Sequence, residues 1–234
     1  MLNKVKSTVP FVPNFDETDV EPTTLPALFP NLLCSPTTGI GVAMASSWAP
    51  HNLNEVAEGI YQYLEGKKIT AIKGPDFPTG GIVINRDDIP EIFTKGRGSV
   101  KIRAKYVIED SDIIFTEVPY GVTLENLIDQ IGEAISSGDV LGVAEIRDET
   151  NKEGIRIVIT PVKGENPEII VNSLFNTTNL QSTFSYNMMA LVDGEPKLLN
   201  LEDAIKVYVD FNENVILREA KTDKGKAENR LEVV

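Results

Sequence analysis

The chain contains the stretch Ser99-Val-Lys-Ile-Arg-Ala-Lys-Tyr-Val-Ile-Glu109. From Val100 to Tyr106 the side chains alternate between apolar and charged, which is typical of a β-strand with one buried face and one face in water. Residues 112–118 are also strand-like and end at Pro119. We therefore expect residues 99–109 and 112–118 to pair as two antiparallel strands.

Helices and further strands are predicted around this pair. Asn52 is a good helix N-cap with Glu55 three residues later, Gly66 ends that helix, and Thr123 caps a second helix. The other expected elements are a rigid turn at 74–81, a strand at 82–84, a hairpin of strands at 140–147 and 155–162, a helix near 167–175, a strand near 188–192, a hairpin at 193–194 and a long helix from 200. The predicted fold class is α+β, with a mostly antiparallel sheet flanked by helices.

Composition limits the class of protein. The 234 residues are 41% hydrophobic and 24% charged, which is typical of a soluble globular protein. A formal net charge of −13 argues against a general nucleic-acid binder and against an anionic membrane surface, although a mean cannot show a local patch. No apolar run of about 18 residues occurs, and the start lacks the apolar stretch of a secretory signal. We expect a cytoplasmic protein.

Residue counts and spacing argue against several kinds of catalytic or binding site. His51 is the only histidine and Cys34 the only cysteine, so a zinc site and a histidine-based nucleophile system lack the residues they need. We expect His51 to be structural. The glycine-rich turns at 74–81 and 96–98 lack the spacing of a P-loop or of a dinucleotide-binding loop.

Two features of the sequence each allow a structural interpretation and a DNA-binding interpretation. Basic residues are concentrated at Lys95, Arg97, Lys101, Arg103 and Lys105. On one strand the last three would share a face at intervals of about 6.7 Å, either as an ordinary solvated face paired with neighbouring acids or as a row of phosphate contacts.

Ile40 is the second such feature. It lies between Gly39 and Gly41 in the small, glycine-rich stretch 35–48. It could be a hydrophobic plug for the core. It could also be a wedge of the kind that DNA-kinking proteins insert between base steps.

A series of motifs resembles a known family, and this resemblance favours one interpretation of both Ile40 and the basic residues. The chain contains Glu21-Pro-Thr-Thr-Leu-Pro-Ala-Leu-Phe-Pro-Asn-Leu-Leu33, Thr38-Gly-Ile-Gly-Val-Ala-Met-Ala45, Gly74-Pro-Asp-Phe-Pro-Thr-Gly-Gly81, Glu117-Val-Pro-Tyr120 and Ala190-Leu-Val-Asp-Gly194. In sequence and in order these blocks resemble the A subunit of bacterial type IIA DNA topoisomerases, that is, DNA gyrase or topoisomerase IV.

The resemblance implies a domain organisation. Residues 1–36 would be a proline-rich connector from a preceding winged-helix domain, residues 37–199 the tower domain, and residues 200–234 the truncated start of a coiled-coil arm helix. The implied partners are double-stranded DNA, the topoisomerase B subunit, and a further A subunit with which the chain forms a homodimer, with no membrane involved. No cofactor is implied in this chain, because Mg²⁺ and ATP are used by the B subunit. The implied location is cytoplasmic and nucleoid-associated.

The resemblance also assigns residue roles. Ile40 matches the isoleucine that wedges into bent gate-segment DNA, and Thr37 and Thr38 match the small polar residues beside it. Thr79 and Arg97 match positions near the DNA backbone, and the basic residues from Lys95 to Lys105 would supply phosphate contacts. Two departures reduce the positive charge of the chain: Leu28 stands where the family usually has arginine, and Leu124 where it often has lysine.

The function implied is that of a piece of the breakage–reunion subunit of an ATP-dependent topoisomerase, which holds and bends gate-segment DNA. In the family the catalytic tyrosine follows an arginine, whereas none of the six tyrosines here does. The isolated chain is therefore expected to be inactive, with no catalytic and no metal-binding residues. The alternative is a structural module that transmits motion between the DNA gate and the exit gate without strong DNA binding of its own. An independent hydrolase has only abundant carboxylates in its favour.

Overall fold

The computed structural model describes residues 8–41 and 44–232, without the side chain of Glu232. The described strands are β1 (Phe11–Pro13), β2 (Val20–Pro22), β3 (Thr37–Ile40), β4 (Ala45–Trp48), β5 (Ile82–Val83), β6 (Arg97–Arg103), β7 (Lys105–Glu109), β8 (Asp112–Glu117), β9 (Val143–Asp148), β10 (Ile157–Pro161), β11 (Gln181–Asn187), β12 (Met189–Val192) and β13 (Glu195–Leu198). The described α-helices are α1 (Asn31–Cys34), α2 (Leu53–Leu64), α3 (Ile89–Lys95), α4 (Leu124–Ser136), α5 (Pro167–Thr177) and α6 (Leu201–Glu232).

Two antiparallel sheets form the body of the molecule. The five-stranded sheet has the order β3-β4-β11-β6-β5 and the four-stranded sheet has the order β7-β8-β10-β9. The pairs β1-β2 and β12-β13 form two small ribbons. The predicted α+β class with antiparallel pairing and flanking helices is therefore confirmed.

The prediction of one continuous strand over residues 99–109 is wrong. Ala104 is buried, and its N–H donates to the Leu180 carbonyl at 2.7 Å, which separates β6 from β7. β6 pairs with β11 and β5 in one sheet, while β7 pairs with β8 in the other. Alternation could not reveal the break, because the residues on both sides of Ala104 keep the same period of two.

The five-stranded sheet packs its inner face on helices α2, α3 and α6. Trp48, Val100 and Ile205 of this core are fully buried. Three of its strands, β3, β4 and β11, were not predicted from the sequence. Residues 35–48 are too small and glycine-rich to show a strand pattern, and β11 alternates aromatic with polar residues rather than with charge.

The four-stranded sheet packs one face on α4 and α5. Leu127 and Ile131 of α4 and Leu174 of α5 are fully buried against Phe115 and Ile157 of the sheet. Strands β8, β9 and β10 and both helices were predicted within a few residues of these bounds. β8 and β10 are short runs of consecutive apolar residues, and both helices have apolar residues three and four positions apart.

The final helix α6 runs for 32 residues and was predicted as a long helix. Asn200 caps it, since its Oδ1 accepts from the Asp203 N–H at 2.7 Å. Pairing of α6 in a coiled coil and the domain boundaries at 36/37 and 199/200 stay predictions. Within residues 8–41 and 44–232, no helix is both long and apolar enough to cross a bilayer.

Candidate nucleic-acid interface

One side of the five-stranded sheet faces away from the helices, and we call it the outward face. Residues directly opposite each other in a sheet share a face, so the strand register defines its members. Arg97 lies opposite Asn187, Asn187 opposite Ser47, and Ser47 opposite Thr38, which makes one row across four strands. The outward face comprises Thr38, Ile40, Ala45, Ser47, Ile82, Arg97, Ser99, Lys101, Arg103, Gln181, Thr183, Ser185 and Asn187.

The outward face, as defined by these described residues, carries cations and no acid. Arg97, Lys101 and Arg103 are its charged members, although the whole chain has a net charge of −13. Arg97 and Lys101 are exposed, and no carboxylate of a described residue pairs with either of them. The hydroxyl and amide side chains around them are groups that also donate to phosphate oxygens. The face is therefore electrostatically suited to a polyanion.

Ile40 projects from the edge of this face. It is the last residue of β3, lies opposite Ala45 of β4, and is 94% exposed. The alternative of a plug for the core is therefore wrong. A β-branched apolar side chain held in water on a hairpin costs free energy, because no apolar surface covers it.

Hydrogen bonds fix the base of this hairpin. The Ser46 hydroxyl and the Trp48 indole N–H both donate to the Met189 carbonyl, at 2.7 and 2.9 Å. The Asn187 amide donates to the Ala45 carbonyl at 2.5 Å. The β3–β4 hairpin that carries Ile40 is thus tied to the end of β11 and to the start of β12.

Arg103 lies on the outward face but is engaged within the protein. Its Nε donates to the Gln181 side-chain oxygen at 2.6 Å. Its guanidinium carbon lies 4.8 Å from the centre of the Phe175 ring, which belongs to the core of the other sheet. Arg103 therefore joins the two sheets, in addition to any contact it makes with a ligand.

Lys105 is separated from this group by the break at Ala104. Its ammonium lies 3.2 Å from Glu117, whose second carboxylate oxygen accepts from the Gly81 N–H at 2.6 Å. The hydrogen bond from Gly81, followed by the contact with Lys105, lowers the pKa of Glu117. Lys105, Glu117 and Gly81 thus form a junction between the two sheets.

Three other predicted contact residues lie off the outward face. Lys95, in the last turn of α3, pairs with Glu91 one turn earlier. Thr37 lies opposite the buried Trp48, which places it on the core side of β3, and the Thr79 hydroxyl is buried. The structure therefore brings together Thr38, Ile40, Arg97, Lys101 and Arg103.

The polar strand β11 contributes residues that sequence reasoning missed. Gln181, Thr183, Ser185 and Asn187 all lie on the outward face, between the wedge hairpin (β3 and β4, which carry Ile40) and the basic strand (β6, which carries Arg97, Lys101 and Arg103). The signal was present as a polar residue at every second position from 181 to 187, with Phe184 and Tyr186 between them. It was overlooked because the pattern lacks β-branched apolar residues.

His51 has the structural role expected of it. Its side chain is buried, its Nδ1 lies 2.9 Å from the Leu33 carbonyl, and its ring packs on the edge of Phe93. Burial lowers the pKa of the imidazole. In the part of the chain that the structure describes, no three His, Cys, Asp or Glu side chains converge on a common point.

Comparison with known proteins gives one consistent match. The family model for the A subunit of DNA gyrase and topoisomerase IV matches residues 1–234. The DNA gyrase A subunits of Ureaplasma parvum serovar 3 and Clostridium acetobutylicum are 43% and 42% identical over 240 residues, covering 98% of this chain and 29% of each relative. That of Treponema pallidum is 41% identical over 241 residues, covering 98% of this chain and 30% of the relative. The chain thus spans less than a third of the length of these relatives.

Proposed function

The chain belongs to the family of DNA gyrase and topoisomerase IV A subunits, and we propose that it is the part of such a subunit which holds and bends duplex DNA. The proposed role is binding and bending rather than strand cleavage. No tyrosine in the chain follows an arginine, which is the arrangement expected of the catalytic residue.

The acid-free outward face is the observation that carries this proposal. A duplex presents one negative charge per about 1.7 Å of its axis, so a bound face must supply cations without adding carboxylates. Arg97 and Lys101 meet that requirement in a chain with 35 acidic and 22 basic residues. Their exposure and lack of carboxylate partners among the described residues leave their donors available for phosphate oxygens.

The exposed isoleucine supports bending in particular. Ile40 lies three strands away from Arg97, about 14 Å at ordinary strand spacing. Side chains of this type enter between base steps and partly unstack them, at a cost of a few kcal/mol. Phosphate contacts on either side of the kink would offset that cost, because a bent duplex touches more of the protein.

The proposal includes the rest of the assembly. The partners would be a B subunit, which would supply the Mg²⁺ and ATP chemistry, and a further A subunit in a homodimer. The complex would work on cytoplasmic, nucleoid DNA. This chain would contribute no cofactor ligand and would be inactive alone.

A structural module is the second candidate, because two of the five predicted basic contacts are already ion-paired within the protein. Lys95 pairs with Glu91 and Lys105 with Glu117. A chain that only transmitted motion between two gates would need no free cations. The two candidates differ in whether duplex DNA binds to the outward face.

Fluorescence anisotropy with a labelled 30-base-pair duplex, scanned from 20 to 300 mM salt, tests the proposal. Each phosphate contact contributes about 0.9 to the slope of log K against log salt. We expect Lys101→Gln to lower that slope by about one unit, and the matched variant Lys152→Gln, on an exposed turn away from the face, to leave it unchanged.

Two results would decide against this role. One is absence of binding at 20 mM salt. The other is binding that neither Lys101→Gln nor Ile40→Ala changes in slope or in duplex bending. Either result would favour the structural module.

A further inference from the structure

Asn187 occupies the middle of the row that joins the wedge hairpin to the basic strand. Its Nδ2 donates to the Ala45 carbonyl at 2.5 Å. Its Oδ1 accepts from Arg97 Nε at 3.1 Å. One amide thus holds both regions at once, with Ala45 lying directly opposite Ile40 on β3.

We propose that Asn187 is a positioning residue that couples insertion of Ile40 into duplex DNA to the phosphate contact of Arg97. This inference rests on the proposed function. Asn187 itself need not touch the nucleic acid, because it acts through the two groups that it fixes.

The chemistry of the amide is what the position requires. A primary amide offers a donor and an acceptor on one planar group, so it can serve the carbonyl of Ala45 and the N–H of Arg97 simultaneously. A carboxylate would lack the donor and would add a negative charge to the outward face. An aliphatic side chain of equal size would lack both hydrogen-bonding groups.

The bond to Arg97 also orients the guanidinium. An arginine carries five N–H donors, and Asn187 occupies only the one on Nε. The four donors at the end of the fork have no hydrogen-bond partner among the described residues, so they remain available for bidentate phosphate binding. Fixing the fork before binding removes part of the side-chain entropy cost of that contact.

Coupling follows from the shared partner. A shift of the hairpin as Ile40 enters the base stack would move the Ala45 carbonyl, and the amide would transmit that shift to the arginine. Effects at Ile40 and Arg97 should then be non-additive although three strands separate them, whereas distant sites without a shared partner add independently.

A double-mutant cycle measures this coupling. The readout is the bent fraction of a 30-base-pair duplex carrying a donor and an acceptor dye at its ends, for the unsubstituted chain, Ile40→Ala, Arg97→Gln and the double variant. We expect a coupling factor of about five in the native background and close to one in an Asn187→Leu background. Asn187→Gln keeps both amide groups and should restore at least half of the coupling on a logarithmic scale.

Asn172→Ala, on the exposed side of α5 in the other half of the molecule, is the matched control and should keep the full coupling. A merely structural role for Asn187 would lower the melting temperature and leave the coupling factor at five. A second measurement needs no variant at this position: the Arg97 Nε–H should exchange with solvent more slowly than that of the exposed Arg86.

The possible failures are distinguishable. If the unsubstituted chain neither binds nor bends the duplex at 20 mM salt, the proposed function and this inference both fail. If it bends DNA and the coupling persists in Asn187→Leu, or if Arg97 and Arg86 exchange equally fast, only the role of Asn187 is overturned.

Discussion

The two sheets expose outward faces of opposite electrostatic character. On the four-stranded sheet Arg147 forms ion pairs with Asp112, Glu145 and Glu149, at 3.4, 2.9 and 3.2 Å. Arg156 beside it pairs with Glu149 at 3.0 Å. The described outward face of the five-stranded sheet has comparable cations and no carboxylate.

This difference shows that the number of basic residues says little about anion binding. Arg147 and Arg156 are neutralised within the protein, so a phosphate would have to displace carboxylates to reach them. Arg97 and Lys101 have no such competitors among the described residues. Basic residues therefore stabilise the four-stranded sheet through ion pairs, whereas on the five-stranded sheet they are available to a ligand. Four predictions test this difference between the two sheets.

The largest expected effect comes from disrupting the junction between the two sheets at Gly81. Its φ is +94°, and a Cβ there would lie 2.9 Å from the Ile102 side chain and 3.0 Å from the Arg103 carbonyl. Gly81→Ala should cost about 3 kcal/mol through left-handed strain and overpacking, a fall of roughly 6–12 °C in melting temperature. Differential scanning calorimetry of the variant and the unsubstituted chain measures the fall in melting temperature.

Gly121→Ala is its control, with a φ of +83° and no atom within 4 Å of the added Cβ. It should cost only the strain, about 1 kcal/mol. Equal losses in the two variants would show that the close approach at the junction contributes nothing.

The next effect compares the two outward faces directly. The double substitution Arg97→Gln with Lys101→Gln should weaken duplex binding about 50-fold at 0.1 M salt and lower the salt slope by about 1.8. The matched pair Arg147→Gln with Arg156→Gln removes the same charge from the other sheet and should leave the slope unchanged. Anisotropy titrations of both variants measure the difference, and equal slopes would remove the distinction between the faces.

Arg103 should behave unlike its neighbour Lys101, because it is held by Gln181 and Phe175. Arg103→Met should cost about 1.5 kcal/mol of stability through the lost hydrogen bond and cation–π contact. Its salt slope should fall by less than that of Lys101→Gln. Thermal melts and salt titrations of the two single variants check this, and the reverse order would assign Arg103 mainly to DNA.

The smallest effect concerns pH. Burial lowers the pKa of His51, so below about pH 6.5 the unfolded chain binds a proton that the folded chain does not. Stability from this group is fully present above that pH and falls by up to about 1.4 kcal/mol per pH unit on acidification. Among the described residues, the core of the four-stranded sheet contains no buried ionisable side chain, so acid should loosen the five-stranded region first.

Hydrogen exchange at pH 7.5 and 5.5, corrected for intrinsic rates, separates the two regions. His51→Asn keeps a donor for the Leu33 carbonyl and should flatten the pH dependence in β4 and α2. An unchanged dependence would place its origin elsewhere. Glu117 acts in a separate, lower window. Because its pKa is lowered in the folded chain, its contribution to stability is present above the ordinary carboxyl pKa and is lost progressively as the pH falls from there through the lowered value.

Much of the fold was predictable because it is local. The caps at Asn52 and Asn200, the apolar periods of α4 and α5 and the turn before Ile155 all act within a few residues. The split at Ala104 was not predictable, since the reason for it is a hydrogen bond to Leu180, far along the chain. Strand β11 was not predicted for a similar reason. Its polar side chains share a face with Arg97 and Lys101, and that is known only from the strand register.

The candidate site divides in the same way. Ile40 and the basic group from Lys95 to Lys105 were found from the sequence, by an unusual residue between glycines and by local charge. Lys95 and Lys105 proved to be ion-paired. The first pair depends on a helix over Ile89–Lys95 that was not predicted, and the second on the register that places Lys105 opposite Glu117. Asn187 carried no local signal for its role, because its partners lie 90 and 142 residues away.

The sequence by itself determined the family, the mixed class of the fold and most helices, because motif order, capping and apolar periodicity are properties of neighbouring residues. Only the tertiary structure decided that Arg97 and Lys101 of one sheet have no carboxylate partner among the described residues, while Arg147 and Arg156 of the other are paired with carboxylates. Strand register sets which side chains share a face, and register is fixed by long-range packing of the two cores.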